Sequence, residues 1–260
     1  MHIPFKKFHG AGNDFVMIDN LAGLYPSLSE DFVQSVCDRH FGVGGDGLIV
    51  LVKNPSYDFE MLYYNADGRA GSLCGNGGRC AVQFAHSLGI RKEQYFFLAS
   101  DGPHSAERFN DGRIRLKMND CHWPRSFEKG FFIDTGSPHY VEFVEESENF
   151  SLLERALPIR HHAHFMPGGT NVNYILSKES PYEIRTFERG VEAETLACGT
   201  GATAVALVLA FEEESLEGKK AIKALGGSLE VEYRRAEKYF TDIYLTGPAE
   251  QVFEGFIPYK

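Results

Sequence analysis

The chain has 260 residues, a formal net charge of −10 and 43% hydrophobic residues, which suffices for one large domain or for two domains of about 100 to 150 residues each. The acidic balance and the lack of a basic stripe argue against a nucleic-acid partner, because phosphates require a basic face. No apolar stretch approaches the roughly 18 residues of a membrane span and the first residues lack the apolar run of a secretory signal, so we expect a cytoplasmic protein without a membrane partner.

The first predicted elements are two strands separated by a glycine-rich turn. This turn, Gly10–Asp14, leads into the apolar strand Phe15–Asp19. Asn13 lies in the turn, where it either supplies turn geometry, which asparagine tolerates well, or contacts a ligand. Ser27–Glu30 resembles a capping box and predicts a helix that continues to about His40.

The next segment, Gly42–Gly47, matches the pattern G-x-G-x-x-G. A dinucleotide site needs this pattern after a strand and before a helix. Here the segment follows a predicted helix and precedes the predicted strand Leu48–Val52, so we interpret it as a tight loop. No P-loop motif occurs either, and we expect neither a nicotinamide, a flavin nor a nucleotide cofactor.

A second group of short strands completes the first half. Asp58–Tyr64 alternates as a strand does and ends in the turn Asn65–Gly68. Asn65, like Asn13, is explained by turn geometry or by ligand contact. Further strands are predicted near residues 95–99, 105–109 and 113–118. We expect the first domain to end near Met118.

The second half repeats this pattern of short predicted strands. The pattern predicts strands near 131–134, 139–144, 172–176 and 182–187, and a helix near 147–156. Gly226 and Gly227 lie between two strand-like segments and indicate a hairpin. The run His161–His164 lacks carboxylates or cysteines at metal-ligand spacing, so it favours a polar loop over a metal site.

One short sequence occurs twice, 124 positions apart: Cys74–Gly77 and Cys198–Gly201. Each copy is a cysteine followed by Gly-polar-Gly and then by a run of small and apolar residues that predicts a helix. The second run, Thr203–Ala210, is apolar around its whole circumference, which is typical of a helix buried on all sides. Both cysteines are therefore expected where a buried helix begins.

This position has chemical consequences for Cys74 and Cys198. The partial positive charge at a helix N-terminus lowers the pKa of a thiol, and bare N–H groups there can hold a carboxylate. A single copy would be explained by a buried cysteine before a glycine-rich turn. Two copies favour an α+β fold of two similar domains, each a curved, mainly antiparallel sheet wrapped around a central helix, with the active site in the cleft between them.

The chain has five cysteines at irregular spacing. An odd number in a chain of this size favours reduced thiols over a disulfide framework. Cys37 lies on the apolar face of the first predicted helix, where it is expected to be part of the core.

At the two cysteine motifs the sequence resembles the diaminopimelate epimerase family. The resemblance extends over the chain and includes Gly12–Phe15, Asn65–Gly68, Glu188–Gly190 and Thr246–Ala249 in family order. It implies an amino-acid epimerase that needs no cofactor, no pyridoxal phosphate and no metal, and that interconverts LL- and meso-diaminopimelate for lysine and cell-wall synthesis. It also implies that residues 247–260 return to complete the first domain, 1–118, and that 119–246 form the second.

The resemblance also implies roles for individual residues. Cys74 matches the proton donor and Cys198 the proton acceptor, and the two roles exchange with reaction direction. His139 and Glu188 match groups that tune the thiols; a loop histidine and a surface carboxylate are the ordinary alternatives. Glu188 is also an expected substrate contact. Arg189 is expected to bind the distal carboxylate, and Asn13, Asn65 and Asn171 to contact the distal stereocentre. The α-carboxylate is expected to be bound by Gly75, Asn76, Gly199 and Thr200.

Three positions depart from the family pattern. Ser137 replaces an asparagine before Pro138–His139, which shortens an expected substrate contact. Gly47 replaces a glutamine in the glycine loop and has no side chain to contribute. Phe253 replaces a tyrosine that some family members use in dimer contacts. The resemblance thus implies a homodimer, but without that tyrosine.

The chemistry of an epimerase fits two thiols. Without pyridoxal phosphate, inversion of an α-carbon needs one group to remove a proton and another to return one on the opposite face. Three alternatives remain: a proline or hydroxyproline racemase of the same fold, a thiol redox protein, and a non-enzymatic binding protein. The related phenazine-biosynthesis isomerases lack the thiol pair, so Cys74 and Cys198 argue against that group.

Overall fold

The computed structural model describes residues 2–25, 27–71, 74–144 and 151–259. Within these residues the chain forms four α-helices and is otherwise mainly β-strand. It divides into two compact units, of which the first contains Met1–Leu116 and Gly247–Lys260 and the second Lys117–Thr246. The predicted α+β class with two similar domains is confirmed.

The first unit contains eight strands and two helices among its described residues. Both helices connect parallel strands. The strands are β1 His2–Gly10, β2 Asn13–Asn20, β3 Gly47–Val52, β4 Phe59–Asn65, β5 Gln94–Ala99, β6 Gly102–Arg108, β7 Ile114–Lys117 and β18 Glu250–Pro258, and the helices are α1 Glu30–Cys37 and α2 Gly75–Ser87.

These strands form a sheet in the order β18-β1-β2-β3-β4-β5-β6-β7. The pairs β2–β3 and β4–β5 are parallel, and the other neighbours are antiparallel. Parallel neighbours need a crossover, and here α1 crosses from β2 to β3 and α2 from β4 to β5. Helix α2 packs against β1, β2, β3, β4 and β6, and ten of its residues are buried.

The second unit is built from the remaining elements. Its strands are β8 Cys121–His122, β9 Arg125–Phe127, β10 Gly130–Asp134, β11 Pro138–Phe143, β12 Asn171–Ile175, β13 Tyr182–Glu188, β14 Ala193–Thr195, β15 Glu217–Ala224, β16 Gly227–Arg235 and β17 Tyr239–Gly247. Its helices are α3 Leu152–Arg160, a 3-10 helix Ala163–Phe165, and α4 Gly199–Glu212.

The second unit repeats the topology of the first. From β10 to β17 the sheet order is β10-β11-β12-β13-β15-β16-β17, and its pairs are antiparallel, parallel, antiparallel, parallel, antiparallel and antiparallel. The same succession runs from β1 to β7. Helix α4 therefore occupies the position of α2, and α3 that of α1. The doubled cysteine motif is one part of a doubled fold.

Both predicted motif helices are confirmed. Helix α4 is buried along nearly its whole length, as its uniformly apolar composition requires. The hairpin at Gly226–Gly227 is also confirmed, with strands β15 and β16 longer than predicted. No helix among the described residues is long and apolar enough to cross a membrane.

Three sequence predictions need correction. Helix α1 ends at Cys37 and not near His40, because the Asp38 side chain accepts hydrogen bonds from the backbone N–H groups of His40 and Phe41, each at 2.7 Å, and closes a turn. The helix expected near 147–156 runs from Leu152 to Arg160, and residues 147–150 lie outside the described residues.

The third correction concerns the histidine run, which is not simply a polar loop. It contains the 3-10 helix Ala163–Phe165, and the rings of His162 and His164 lie 5.1 and 4.8 Å from the ring of Phe127. Aromatic packing of this kind stabilises a surface turn. Among the described residues, no group of three or more histidine, cysteine or acidic side chains is arranged to hold a metal ion.

Candidate active site

Cys74 and Cys198 are the N-cap residues of α2 and α4. Both have extended backbone geometry, and neither side chain caps its helix. In any helix the first-turn N–H groups point away from the helix body and lack intrahelical acceptors. Each sulfur is thus at the positive end of a helix, in the same topological position of its unit.

A tight hairpin brings Asn13 beside Cys74. Ala11 and Gly12 adopt left-handed backbone conformations, with φ of 56° and 91°, and Gly10 pairs with Asn13 across the turn. This geometry is typical of a two-residue type I′ turn. The Sγ atom of Cys74 lies 3.4 Å from Oδ1 of Asn13, and Nδ2 of Asn76 lies 3.3 Å from the same oxygen.

The orientation of the Asn13 amide is fixed from both ends. Its Nδ2 donates to the carboxylate of Asp46, which can only accept at neutral pH. On the other side, Nη2 of Arg79 donates to Oδ1 of Asn76 at 2.9 Å, so Nδ2 of Asn76 is directed at Asn13. The Asn13 carbonyl oxygen therefore faces Cys74 and is placed to accept a hydrogen bond from its sulfur.

Asp46 belongs to a charged network behind this turn. Nη2 of Arg39 lies 2.7 Å from Oδ1 of Asp46 and 2.7 Å from Oδ1 of Asp14, and Nζ of the buried Lys7 lies 2.6 Å from Asp14. Burial opposes ionisation of Asp14, but the hydrogen bonds and charges of Arg39 and Lys7 outweigh it and hold its pKa at about 2.

Arg79 is completely buried in the first turns of α2. Besides Asn76, its guanidinium donates to the carbonyl oxygens of Gly75 at 3.3 Å and Pro248 at 3.4 Å. Burial lowers the pKa of Arg79. The equivalent position in α4 is Thr203, whose hydroxyl donates to the Gly199 carbonyl at 2.9 Å.

Cys198 has different neighbours. Its Sγ atom lies 3.3 Å from Oγ1 of Thr200, and that hydroxyl oxygen lies 2.9 Å from Nε2 of His139. His139 is fully buried. Burial, and to a smaller degree the positive charge of Arg189, lowers its pKa to about 3, so the imidazole is neutral at physiological pH.

Asn173 lies on the far side of His139. Its Nδ2 is 3.0 Å from Nδ1 of His139 and 3.0 Å from the carbonyl oxygen of Tyr140, and its Oδ1 accepts from Oγ1 of Thr186 at 3.0 Å. Asn173, Arg79 and Asp46 were not among the site residues predicted from sequence. The one sequence signal for Arg79 is its position, since it is a charged residue inside a helical run of otherwise small and apolar residues.

The Glu188–Arg189 segment is held by Asn171. Oδ1 of Asn171 accepts from the backbone N–H of Arg189 at 2.8 Å, and its Nδ2 donates to Oγ of Ser137 at 2.9 Å and to the carbonyl oxygen of Pro138 at 2.8 Å. Glu188 and Arg189 are partly buried. The structure thus connects Asn171 with Ser137 and with the backbone that carries Arg189.

Two further positions of the first unit are defined by packing. The backbone of Asn65 closes a turn, with its N–H donating to Arg69 and its carbonyl accepting from Gly68, both at 2.9 Å. A Cβ atom at Gly47 would lie 2.5 Å from the carbonyl oxygen of Tyr64 and 2.6 Å from the ring of Tyr63. Position 47 therefore cannot carry a side chain unless both the Tyr64 backbone and the Tyr63 ring move.

The three remaining cysteines are ordinary core residues. Cys37, Cys80 and Cys121 are buried, and burial raises their pKa values to about 11, about 12 and about 12. The expectation that Cys37 belongs to the core is confirmed. None of the five cysteines, all of which lie among the described residues, forms a disulfide.

Comparison with known proteins identifies the family. The sequence model described as "Diaminopimelate epimerase" matches residues 5–123 and 131–252. Curated relatives named diaminopimelate epimerase include that of Flavobacterium psychrophilum, which is 42% identical over 95% of this chain and 97% of the relative. Another is that of Aquifex aeolicus, which is 40% identical over 97% of both chains.

Solved structures share the fold at low sequence identity. A phenazine biosynthesis protein of Bacillus anthracis is 14% identical with a TM-score of 0.71, and the two chains cover each other completely. A hydroxyproline epimerase of Agrobacterium vitis is 12% identical with a TM-score of 0.70, over 98% of this chain and 91% of that one. The family match and the relatives at 40% identity or more together show that this chain belongs to the diaminopimelate epimerase family.

Proposed function

We propose that the protein converts LL-2,6-diaminopimelate into meso-diaminopimelate by a two-thiol mechanism that needs no cofactor. The observation that carries this proposal is the presence of one cysteine at the N-cap of the buried helix in each of two topologically equivalent units. The names of the curated relatives support the substrate.

The reaction inverts one α-carbon by transferring protons. In the direction from LL to meso, the Cys198 thiolate removes the α-proton, so that a C–H bond breaks and an S–H bond forms. The Cys74 thiol then delivers its proton to the opposite face of the carbanion and is left as the thiolate. The reverse reaction exchanges the two roles, and the pair titrates as a coupled system.

The helix N-termini supply the stabilisation that this step needs. We place the substrate α-carboxylate on the backbone N–H groups of Gly75 and Asn76 in α2 and of Gly199 and Thr200 in α4. Negative charge that develops at the α-carbon and spreads into the carboxylate is favoured by these oriented dipoles. Preorganised donors of this kind need no rearrangement when the charge forms.

The distal amino-acid group of the substrate explains the remaining polar residues. We assign the bidentate contact with the distal carboxylate to Arg189, since guanidinium groups fit carboxylates in this way. Asn13, Asn65 and Asn171 select the distal stereocentre, and Glu188 binds substrate and, with His139, tunes the thiols. Proline and hydroxyproline lack a distal amino-acid group and leave these residues without a purpose.

The decisive experiment follows the α-proton in heavy water. The purified reduced protein is incubated with LL-diaminopimelate in D₂O, and substrate and product are separated early in the reaction. We expect deuterium in the meso product and protium in the recovered substrate, because each thiol serves one face. Product without deuterium contradicts the mechanism, and exchange with L-proline but not with diaminopimelate reassigns the substrate.

Cysteine variants test the two thiols separately. Cys74→Ala and Cys198→Ala are each expected to abolish epimerisation, because either change removes one of the two acid/base groups. The matched control is Cys80→Ala, which alters a fully buried thiol in the same helix as Cys74 and is expected to retain activity. Full activity in either of the first two variants excludes the two-thiol mechanism.

Three broader proposals accompany this function. We propose that the product serves lysine and peptidoglycan synthesis, and that the enzyme works in the reducing cytoplasm, where free thiols persist. We also propose a homodimer, supported by the exposed apolar side chains of Val252, Phe253 and Phe256 on β18. Light scattering of the reduced protein at several concentrations tests the dimer, and a monomer throughout contradicts it.

A further inference from the structure

A row of hydrogen-bonded side chains in the second unit ends at the sulfur of Cys198. It runs from Thr186 through Asn173, His139 and Thr200, and its four links measure 3.0, 3.0, 2.9 and 3.3 Å. Asn173 and His139 are fully buried, and Thr186 nearly so. In such surroundings each donor needs an acceptor, because an unmade hydrogen bond is costly there.

The orientation of the Asn173 amide is set by groups that cannot change roles. The carbonyl oxygen of Tyr140 only accepts, so the amide group 3.0 Å away is the donor, Nδ2. The Thr186 hydroxyl donates to Oδ1 on the opposite side. One Nδ2 hydrogen points at Tyr140, and the second points at Nδ1 of His139.

This arrangement determines the tautomer of His139. An imidazole nitrogen that accepts a hydrogen bond carries no proton, so in the neutral ring the proton is on Nε2. Nε2–H then donates to Oγ1 of Thr200. The Thr200 oxygen accepts this bond, so its own hydrogen is available to Sγ of Cys198, 3.3 Å away.

The His139 ring has to stay neutral if its Nδ1 is to keep accepting the hydrogen bond from Asn173. His139 is enclosed, and burial lowers its pKa to about 3. Arg189 is the charged side chain whose field acts on the ring, and its positive charge shifts the pKa in the same direction. An imidazolium, which would also protonate Nδ1 and collide with the Asn173 donor, does not form at neutral pH.

We propose that Asn173 is a positioning residue that fixes His139 as the Nε2–H tautomer and thereby directs the Thr200 hydroxyl at Cys198, whose sulfur rests as the thiolate. Its catalytic meaning depends on the proposed function, while the tautomer and the thiol state do not. A hydrogen bond donated to the charged form of an acid stabilises that form.

The first unit shows the opposite direction. Cys74 donates to Oδ1 of Asn13 at 3.4 Å, and the Asn13 amide cannot reverse because Asp46 accepts from its Nδ2. An acceptor facing a sulfur favours the thiol. The two hydrogen-bond systems therefore prepare the pair for one direction of proton transfer, with Cys198 as the base and Cys74 as the acid.

The tautomer is measured directly on the protein without substrate. Long-range ¹H–¹⁵N correlation spectra of the ¹⁵N-histidine-labelled protein distinguish the Nε2–H from the Nδ1–H form, and His139→Gln assigns the signal. We expect the Nε2–H form in the unaltered protein. In Asn173→Asp the new acceptor requires a proton on Nδ1, so the signal should change to the Nδ1–H form; an imidazolium, which keeps Nε2–H directed at Thr200, would contradict the proposed switch.

The thiol state is measured by alkylation. Iodoacetamide labelling at neutral pH is quantified by mass spectrometry on tryptic peptides, which carry Cys74 and Cys198 separately. In Asn173→Asp we expect the Cys198 rate to fall about tenfold or more, since reactivity follows the thiolate fraction. The Cys74 rate in the same molecules should stay unchanged and serves as the internal reference.

The matched control is Thr186→Val, which removes the donor to Oδ1 but leaves Asn173 held by Tyr140. We expect it to keep the Nε2–H tautomer and the Cys198 rate, although it costs some stability. A purely structural role for Asn173 predicts instead that both variants change Cys198 in proportion to their loss of stability, and that result overturns the proposal.

Thr200→Val keeps the proposal testable if Asn173→Asp does not fold. This variant removes the last donor and should slow Cys198 alkylation while leaving the His139 tautomer in place, and Thr200→Ser should restore the rate. An Nδ1–H tautomer in the unaltered protein, or equal Cys198 rates in all variants, contradicts the inference. Absence of diaminopimelate turnover with the expected tautomer and rates rejects only the proposed function.

Discussion

The Sγ atom of Cys74 lies 3.4 Å from Oδ1 of Asn13, the residue that follows the two left-handed positions of a type I′ turn. Backbone geometry alone brings the two residues together, because the turn places Asn13 at the start of β2 and α2 begins beside it. The side-chain direction is then set by Asp46 on one side and by the Arg79–Asn76 pair on the other. The left-handed positions of this turn are Ala11 and Gly12, so Asn13 does not supply the turn geometry that the sequence allowed for it. Its side chain instead presents an acceptor to a thiol.

A charge at Asn13 should suppress the reactivity of Cys74. Asn13→Asp places a carboxylate next to the sulfur, and a like charge disfavours the thiolate. We expect the alkylation rate of Cys74 at neutral pH to fall about tenfold or more, with Cys198 unaffected. Asn110→Asp, which adds the same charge in an exposed turn, is the control. Equal rates in both variants would show that Asn13 does not face the sulfur.

The two glycines at equivalent helix positions should differ in their tolerance of alanine. A Cβ atom at Gly201 would lie 2.6 Å from Oδ1 of Asn173 and 3.4 Å from Sγ of Cys198. At Gly77 the nearest atoms are the flexible ends of Ile49 and Met61, at 3.1 and 3.4 Å. The requirement for glycine is therefore strict in α4 and mild in α2.

Gly201→Ala should lower the free energy of unfolding by about 1–3 kcal/mol, as overpacking does, and should slow Cys198 alkylation. Gly77→Ala should change stability by less than about 1 kcal/mol, because alanine favours the helix and the neighbours can move. Urea unfolding measures both. Equal losses of stability in the two variants would indicate that the contact with Asn173 is not the reason why alanine is poorly tolerated at position 201.

Much of the fold follows from sequence patterns that reflect burial directly. Helix α4 could be predicted because its uniformly apolar residues permit no exposed face, and the hairpin of β15 and β16 because two glycines interrupt alternating strands. The short strands β8, β9 and β14 could not, since two or three residues carry no period. The end of α1 depends on the Asp38 side chain, which competes with the helix for backbone N–H groups.

The polar networks of the site were less accessible to sequence analysis. Asn173 and Thr186 lie on adjacent strands and meet only because β12 and β13 pair with these residues in register. Nothing local distinguishes Asn173 from any other polar residue in a strand. Asp46 similarly acquires its role from the parallel pairing of β2 with β3, which brings the glycine loop to the Asn13 turn.

Reactivity should separate the five thiols of the reduced protein. Cys198 is buried as Cys37, Cys80 and Cys121 are, but the pKa values of these last three are raised to about 11, about 12 and about 12. We expect iodoacetamide at neutral pH to modify Cys74 and Cys198 well before these three, because only thiolates react. Peptide mass spectrometry gives the order, with urea-unfolded protein as the reference in which all five react. Early labelling of Cys80 in the folded protein would contradict this assignment.

The charged network behind the Asn13 turn should make stability depend on acid. The pKa of Asp14 is about 2 in the folded protein, against 3.8 for an unperturbed aspartate. A depressed folded-state pKa contributes stability at pH values above the unfolded pKa, and that contribution is lost as the pH falls from about 4 to about 2. Since Arg39 is half exposed and partly screened by solvent, we expect the contribution to be about 1–2 kcal/mol at neutral pH.

Asp14→Asn tests this linkage. At neutral pH the variant should unfold at lower urea concentration than the unaltered protein, and the difference should shrink as the pH is lowered through that window, because the carboxylate of the unaltered protein is then protonated as well. Asp111→Asn is the matched control, since Asp111 pairs with Arg113 on the exposed surface at 2.7 Å and exposed pairs contribute little. A difference for Asp14→Asn that stays constant down to the acid end would mean that packing of the side chain, and not its charge, stabilises the turn.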